Sequence, residues 1–167
     1  MSEFNKGIEN LRNKHYEEAA NDLYEFILKD KLTTKINNVT EERKEKNKLN
    51  LSDSELIELY KNSIKYFEDK INNLSDDLVA EAYFDLGVIS IFTNQREYNP
   101  RYTNNEYFNK VFKLSNNITL LGKLGTIYGK YEKYDKAIEC FEKILQIEPN
   151  DKGALNSIQA INNHRKQ

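Results

Sequence analysis

The chain has 167 residues, of which 31% are charged and only two are proline, a composition typical of one small domain built from amphipathic helices. Its 25 basic and 27 acidic residues give a formal net charge of -2, and no basic stripe stands out apart from the short run at 43–48, so nucleic-acid binding is disfavoured. The first ten residues lack the apolar core of a signal sequence. The longest apolar run, 86–92, is far shorter than the ~20 residues that span a bilayer. We therefore expect a cytoplasmic protein that does not bind a membrane.

The first predicted element is a degenerate helix hairpin over residues 1–29. Tyr16 follows Gly7 by nine residues, just as Tyr134 follows Gly125 by nine residues near the other end of the chain. This shared spacing indicates two copies of one structural unit.

The stretch from 30 to 52 is predicted to be a charged insertion. It contains the run TEERKEKNKL and almost no apolar residue that could face a core. We expect a solvated, partly helical segment, and the alternative is a segment that orders on binding a partner.

Residues 53–77 are predicted to form one repeat-like helix, because 60–77 aligns without a gap with a segment near the C-terminus. In that alignment Ser63 takes the position of a small residue and Phe67 that of a phenylalanine.

Residues 80–116 are predicted to form a repeat with a lengthened loop. Leu86 and Gly87 lie on the apolar face of its first helix, and Asn105 marks the start of its second helix, since asparagine is a favourable N-cap. The connection between the two helices contains Pro100 and exceeds a tight turn.

The clearest pattern is a 34-residue unit at 118–151. Leu121, Leu124 and Tyr128 fall at i, i+3 and i+7, so they share one helical face, and Gly125 lies on that face too. A glycine inside a helix costs roughly 1 kcal/mol relative to alanine. Its presence here indicates close approach of the second helix, on which Ala137 is predicted to be the small counterpart.

This unit resembles the tetratricopeptide repeat. The signature positions are Leu121, Leu124, Gly125, Tyr128, Ala137, Phe141 and Pro149. The resemblance implies an all-α fold, namely an α-solenoid of three to four degenerate helix hairpins. Residues 152–165 are predicted to be a capping helix, in which Leu155 and Ile158 face inward, and the whole chain, 1–167, is expected to be a single domain.

In this family the first helices of successive repeats line a concave groove. The resemblance implies that the groove is faced by Glu81, Phe84, Asp85, Val88, Ile91 and Phe92 from one repeat, and by Thr119, Gly122, Lys123, Thr126, Gly129 and Lys130 from the next. The predicted peptide-binding residues are Phe84, Asp85, Val88, Ile91, Phe92, Lys123, Thr126 and Lys130.

The chemistry of these positions suits a particular partner. An apolar shelf beside two lysines favours a short segment of another protein that carries a bulky apolar residue close to a carboxylate. The alternative is that Phe84 and Phe92 pack against a neighbouring helix or the 95–104 loop, and that the lysines are merely solvated.

The resemblance also implies a test for one well-understood class of partner, the acidic C-terminal tails of heat-shock chaperones. Members of the family bind these tails through lysine and asparagine side chains of the groove. Here the corresponding positions read Phe4, Ile8 and Asp85, and only Lys123 keeps its cation. A receptor for chaperone tails is therefore disfavoured. We expect a non-catalytic protein-interaction module. The alternatives are a self-associating structural or assembly subunit, forming a homo-oligomer, and a co-chaperone-like adaptor.

The parts of an active site are missing from the sequence. His15 and His164 lie near opposite ends, and neither has metal-ligand spacing to another histidine or to a cysteine. No phosphate loop or nucleophile elbow occurs, and Cys140 is predicted to pack within a helix surface. We expect no enzymatic activity, no cofactor and no metal.

Overall fold

The computed structural model describes residues 2–29, 50–93 and 96–166, and every regular element within these ranges is helical. The helices are α1 (Glu3–Arg12), α2 (Tyr16–Lys29), α3 (Asp53–Ile71), α4 (Asp76–Ile91), α5 (Glu106–Leu114), α6 (Ile118–Lys130), α7 (Tyr134–Ile147) and α8 (Lys152–Arg165), with a 3-10 turn at Arg96–Tyr98. The predicted all-α solenoid is confirmed, whereas most of the predicted insertion at 30–52 lies outside the described residues.

Three helix pairs, α1–α2, α4–α5 and α6–α7, form hairpins in which a glycine of the first helix meets a large side chain of the second. A Cβ at Gly125 would lie 2.8 Å from Cζ of Phe141, and one at Gly7 would lie 2.9 Å from Cγ of Leu23. The close approach predicted for Gly125 is therefore present. Its neighbour is Phe141, one turn after the predicted counterpart Ala137, because the large ring reaches back across the helix interface.

The same turn joins the helices of the first and last hairpins. Lys14 and Glu132 both adopt a left-handed backbone with φ of 62°. In each turn the next amide, that of His15 or Lys133, donates a 2.8 Å hydrogen bond to a carbonyl five residues earlier. The first and last hairpins therefore share one turn geometry.

The N-terminal hairpin does not simply head a linear stack. Successive helices from α3 to α8 pack on one another, as expected of a solenoid. In addition α1 contacts α3, and α2 contacts both α4 and α6, the first helices of the two later hairpins. The hairpin α1–α2 therefore lies against the helices that were predicted to line the groove.

The helix ends follow the predicted capping chemistry. The side chain of Asn105 accepts hydrogen bonds from the amides of Tyr107 and Phe108, and Asn117 caps α6 in the same way. In α8 the buried stripe is Ala154 with the partly buried Ile158 and Ile161.

The inward position predicted for Leu155 is wrong, since this side chain is 47% exposed. The reason is that, among the described helices, α8 packs mainly on α7, and this contact covers only a narrow stripe of the capping helix.

Candidate functional site

The apolar half of the predicted groove lies in the protein core. Phe84 is 4% exposed and Phe92 is 6% exposed, and Val88 and Ile91 are also buried. The structure thus brings these four side chains together, but along a covered face of α4.

The α1–α2 hairpin covers this face. The Tyr24 ring of α2 packs edge-on against Phe84, with the centroids 5.6 Å apart. The Phe92 ring lies 6.0 Å from the rings of both Phe4 and Phe26. Packing of Phe84 and Phe92 against neighbouring helices was the alternative left open by the sequence, and the fold adopts it with the N-terminal hairpin as the neighbour.

Among the described residues, the half of the groove formed by α6 is less covered than the half formed by α4. Lys123, Thr126 and Lys130 occur at i, i+3 and i+7, so they share one helical face, where Thr126 is exposed and the two lysines are partly exposed. A Cβ added at Gly129 would meet nothing within 4 Å. Lys123 Nζ lies 5.5 Å from the ring centroid of Tyr24, so α2 forms one wall beside this face.

The remaining predicted site residue, Asp85, opens onto a separate cavity of about 160 Å³ between α2, α3 and α4. The cavity is lined by Glu17, Phe67, Lys70, Leu74, Leu78, Glu81, Ala82 and Asp85. Of the predicted groove positions, only Glu81 and Asp85 take part. Sequence reasoning missed the wall supplied by α2 and α3, because no local pattern indicates that these helices meet α4 at this point.

The electrostatics of the cavity are unusual at Asp85. Burial raises the pKa of the Asp85 carboxyl to about 7, and the nearby charge of Glu81 adds to this effect, while Lys123 and Lys70 oppose it. Lys70 is already engaged in an ion pair with Glu17. Within 2–29, 50–93 and 96–166, no side chain or amide donates a hydrogen bond to Asp85.

A second cavity of about 150 Å³ lies on the other side of the repeat, where α5, α6 and α7 meet. Cys140 lines it, and burial raises the pKa of this thiol to about 12, so the thiol stays protonated and unreactive at neutral pH. Lys136 Nζ donates a 3.1 Å hydrogen bond to Asn109 Oδ1 at the same place. These contacts are those of a packed helix interface.

In the part of the chain that the structure describes, histidine, cysteine and acidic side chains nowhere form a group of three that could hold a metal ion. None of the helices in this part of the chain is long and apolar enough to cross a membrane.

The family model of the tetratricopeptide repeat matches residues 119–151, which comprise α6, α7 and the turn into α8. No curated protein sequence and no solved structure matches the chain. Repeats of this kind are protein-interaction elements, and the match includes Lys123, Thr126 and Lys130 of α6.

Proposed function

From the tetratricopeptide repeat that this chain contains at 119–151, we propose that the protein is a non-catalytic interaction module that binds a short acidic segment of another protein along the open face of α6. The observation that carries the proposal is the basic face of α6, formed by the exposed Thr126 and the partly exposed Lys123 and Lys130. Gly129, where a side chain would have open space, lets a partner backbone approach this face closely.

Charge and spacing define the partner further. The helix α6 has two lysines on this face and contains no acidic residue. Seven residues of an α-helix span about 10 Å. Residues i and i+3 of a segment in the polyproline II conformation lie on the same face and are about 9 Å apart, which is close to that distance. The proposed partner segment therefore carries two carboxylates three residues apart, one opposite Lys123 and the other opposite Lys130.

In this proposal the apolar groove residues do not contact the partner but position helix α2. Phe84, Val88, Ile91 and Phe92 hold the N-terminal hairpin against α4, which places Tyr24 beside Lys123. The Tyr24 ring is only 6% exposed, so the partner's bulky apolar residue lies beside Lys123 at the edge of the basic face instead of entering an empty shelf.

A cytoplasmic location is part of the proposal, and the single cysteine of the sequence, whose thiol is unpaired, agrees with a reducing compartment.

The experiment is quantitative affinity capture from the native cell with three forms of the full chain. The variant Thr126→Glu/Lys130→Glu reverses the charge of the open face and leaves the Lys123–Tyr24 contact in place. The matched control, Lys61→Glu/Lys65→Glu, alters the charge of an exposed face of α3. We expect the variant to reduce recovery of the specific partner at least tenfold, because like charges then oppose one another, while the control retains it.

Equal recovery by the first variant and the wild type would exclude the α6 face as the binding site. The measured mass of the purified chain over a concentration series tests the self-associating alternative. We expect a monomer throughout, and a dimer that the α6 variant dissociates would make a second copy the partner.

A further inference from the structure

We propose that the cavity at Asp85 is a receptor site for a primary ammonium group, supplied by a lysine side chain of the partner protein. The inference rests on the proposed function only for the source of that lysine, since the cavity itself is formed by α2, α3 and α4 and includes no residue of α6.

The walls of the cavity match the stem of a lysine. Phe67, Leu74, Leu78 and Ala82 form an apolar surface, and Leu78, which is 47% exposed, extends this surface to the rim. A cavity of about 160 Å³ is comparable with the ~150 Å³ cavities that accept a benzene ring. Four methylene groups of a lysine fit this space and exchange water for apolar contact.

The polar end of the cavity lacks a donor. The carboxyl of Asp85 is half-buried, and no hydrogen bond reaches it from any described residue. The Asp85 oxygens are not among the fully buried polar atoms that lack a partner, so they keep some contact with solvent, which a binding ammonium would replace. Lys70, the basic residue of the cavity wall, is held by its ion pair with Glu17 and lies 5.7 Å from the ring centroid of Tyr66.

An incoming ammonium supplies what Asp85 lacks. It has three N–H donors, enough to bond Asp85 and Glu81 together. Glu17 is neutralised by its ion pair with Lys70, so the carboxyl groups of Glu81 and Asp85 remain in the lining. Lys123, which also acts on Asp85, does not line the cavity. The remaining charge of the lining favours a cation. A compact ammonium also suits a small cavity better than the broad, planar guanidinium of arginine.

The groups that face Asp85 come from four helices. Glu17 belongs to α2, Lys70 to α3, Glu81 to α4 itself and Lys123 to α6. Because the ammonium binds the charged carboxylate, binding must release a proton wherever Asp85 is protonated in the free protein. The affinity for a lysine ligand therefore rises with pH through the neutral range.

The probe is the peptide Ac-Gly-Lys-Gly-NH2, titrated into the full isotope-labelled chain and followed by amide chemical shifts. The control peptide has norleucine in place of lysine, which keeps the stem and removes the charge. We expect saturable shifts at Leu74, Leu78 and Ala82 with a millimolar dissociation constant, and roughly tenfold tighter binding at about pH 8 than at about pH 6.

Two variants localise the effect. Asp85→Asn is expected to abolish the saturable shifts and the pH dependence, while Asp77→Asn, the same change at an exposed position of α4 outside the cavity, is expected to retain both. Thr126→Glu/Lys130→Glu should leave this titration unchanged, so failure of the α6 interaction and failure of the cavity site are distinguishable.

Three results would each overturn the assignment. These are equal binding of the norleucine peptide, retained binding by Asp85→Asn, and absence of any saturable shift. Binding of free n-pentylammonium without binding of the lysine peptide would also overturn it, because the cavity would then accept a small amine and exclude a protein side chain.

Discussion

At the scale of single residues, Asp85 couples the stability of the fold to pH. Burial raises its carboxyl pKa to about 7 in the folded chain, whereas an aspartate in an unfolded chain titrates near 4. The folded state therefore binds the proton more tightly. The stability that Asp85 contributes is complete below about pH 4 and is lost as pH rises through about 7.

We predict that Asp85→Asn stabilises the protein at pH 8 by ~2 to 4 kcal/mol and leaves it unchanged below about pH 4. The physical reason is that the amide keeps the shape of the carboxyl and never acquires the buried charge. Urea unfolding at a series of pH values measures the effect, with Asp77→Asn as the control that keeps the pH dependence of the wild type. A parallel pH profile for Asp85→Asn and the wild type would show that Asp85 ionises without cost.

At the scale of helices, two glycines of α6 have opposite surroundings. A Cβ at Gly125 would lie 2.8 Å from Phe141, whereas a Cβ at Gly129 would meet nothing within 4 Å. We predict that Gly125→Ala destabilises the fold by ~1 to 3 kcal/mol through overpacking. Gly129→Ala should stabilise it by up to ~1 kcal/mol through helix propensity.

Both predictions are checked by measuring the thermal unfolding of the two alanine variants and of the wild type. The same residue change in the same helix should shift the melting temperature in opposite directions. Two shifts of the same sign would contradict the register that places Gly125, and not Gly129, against α7.

Much of the helical organisation was predictable from local signals. The i, i+3, i+7 pattern at Leu121, Leu124 and Tyr128 predicted α6, and Asn105 was expected to mark the start of a helix. These features depend on neighbours within one or two helical turns, which a single sequence displays directly.

The position of the N-terminal hairpin was not predictable in the same way. Tyr24 contacts Phe84 and Lys123, residues far away in the chain. Side-chain periodicity shows which face of α2 is apolar but not which helix covers that face. This long-range contact buries the apolar half of the predicted groove and supplies Glu17 to the cavity at Asp85. The arrangement of the candidate site therefore depends on a contact that the sequence pattern does not reveal.

At the scale of the whole molecule, the N-terminal hairpin shares one core with the later helices. The rings of Phe4, Phe26 and Tyr60 surround Phe92, with centroid distances of 6.0 to 6.3 Å. With Phe92 included, the four rings come from α1, α2, α3 and the residue that directly follows α4. Removal of the hairpin would expose these large apolar side chains to water, so the hairpin is a structural part of the fold and not a loosely attached segment.

Phe92 lies at the centre of this shared core, and its truncation tests whether the core holds the molecule together. We predict that Phe92→Ala lowers the free energy of unfolding by ~3 to 5 kcal/mol, while Leu155→Ala, at an exposed site, changes it by less than ~0.5 kcal/mol. Calorimetry should show a single transition for all forms, and hydrogen exchange should show that amides of α2 and α6 lose protection together in Phe92→Ala. If α1 and α2 instead melted first, in a separate transition that left α6 and α7 protected, the hairpin would be an independent unit. The face of α4 that it covers would then become accessible at the cost of that local unfolding alone.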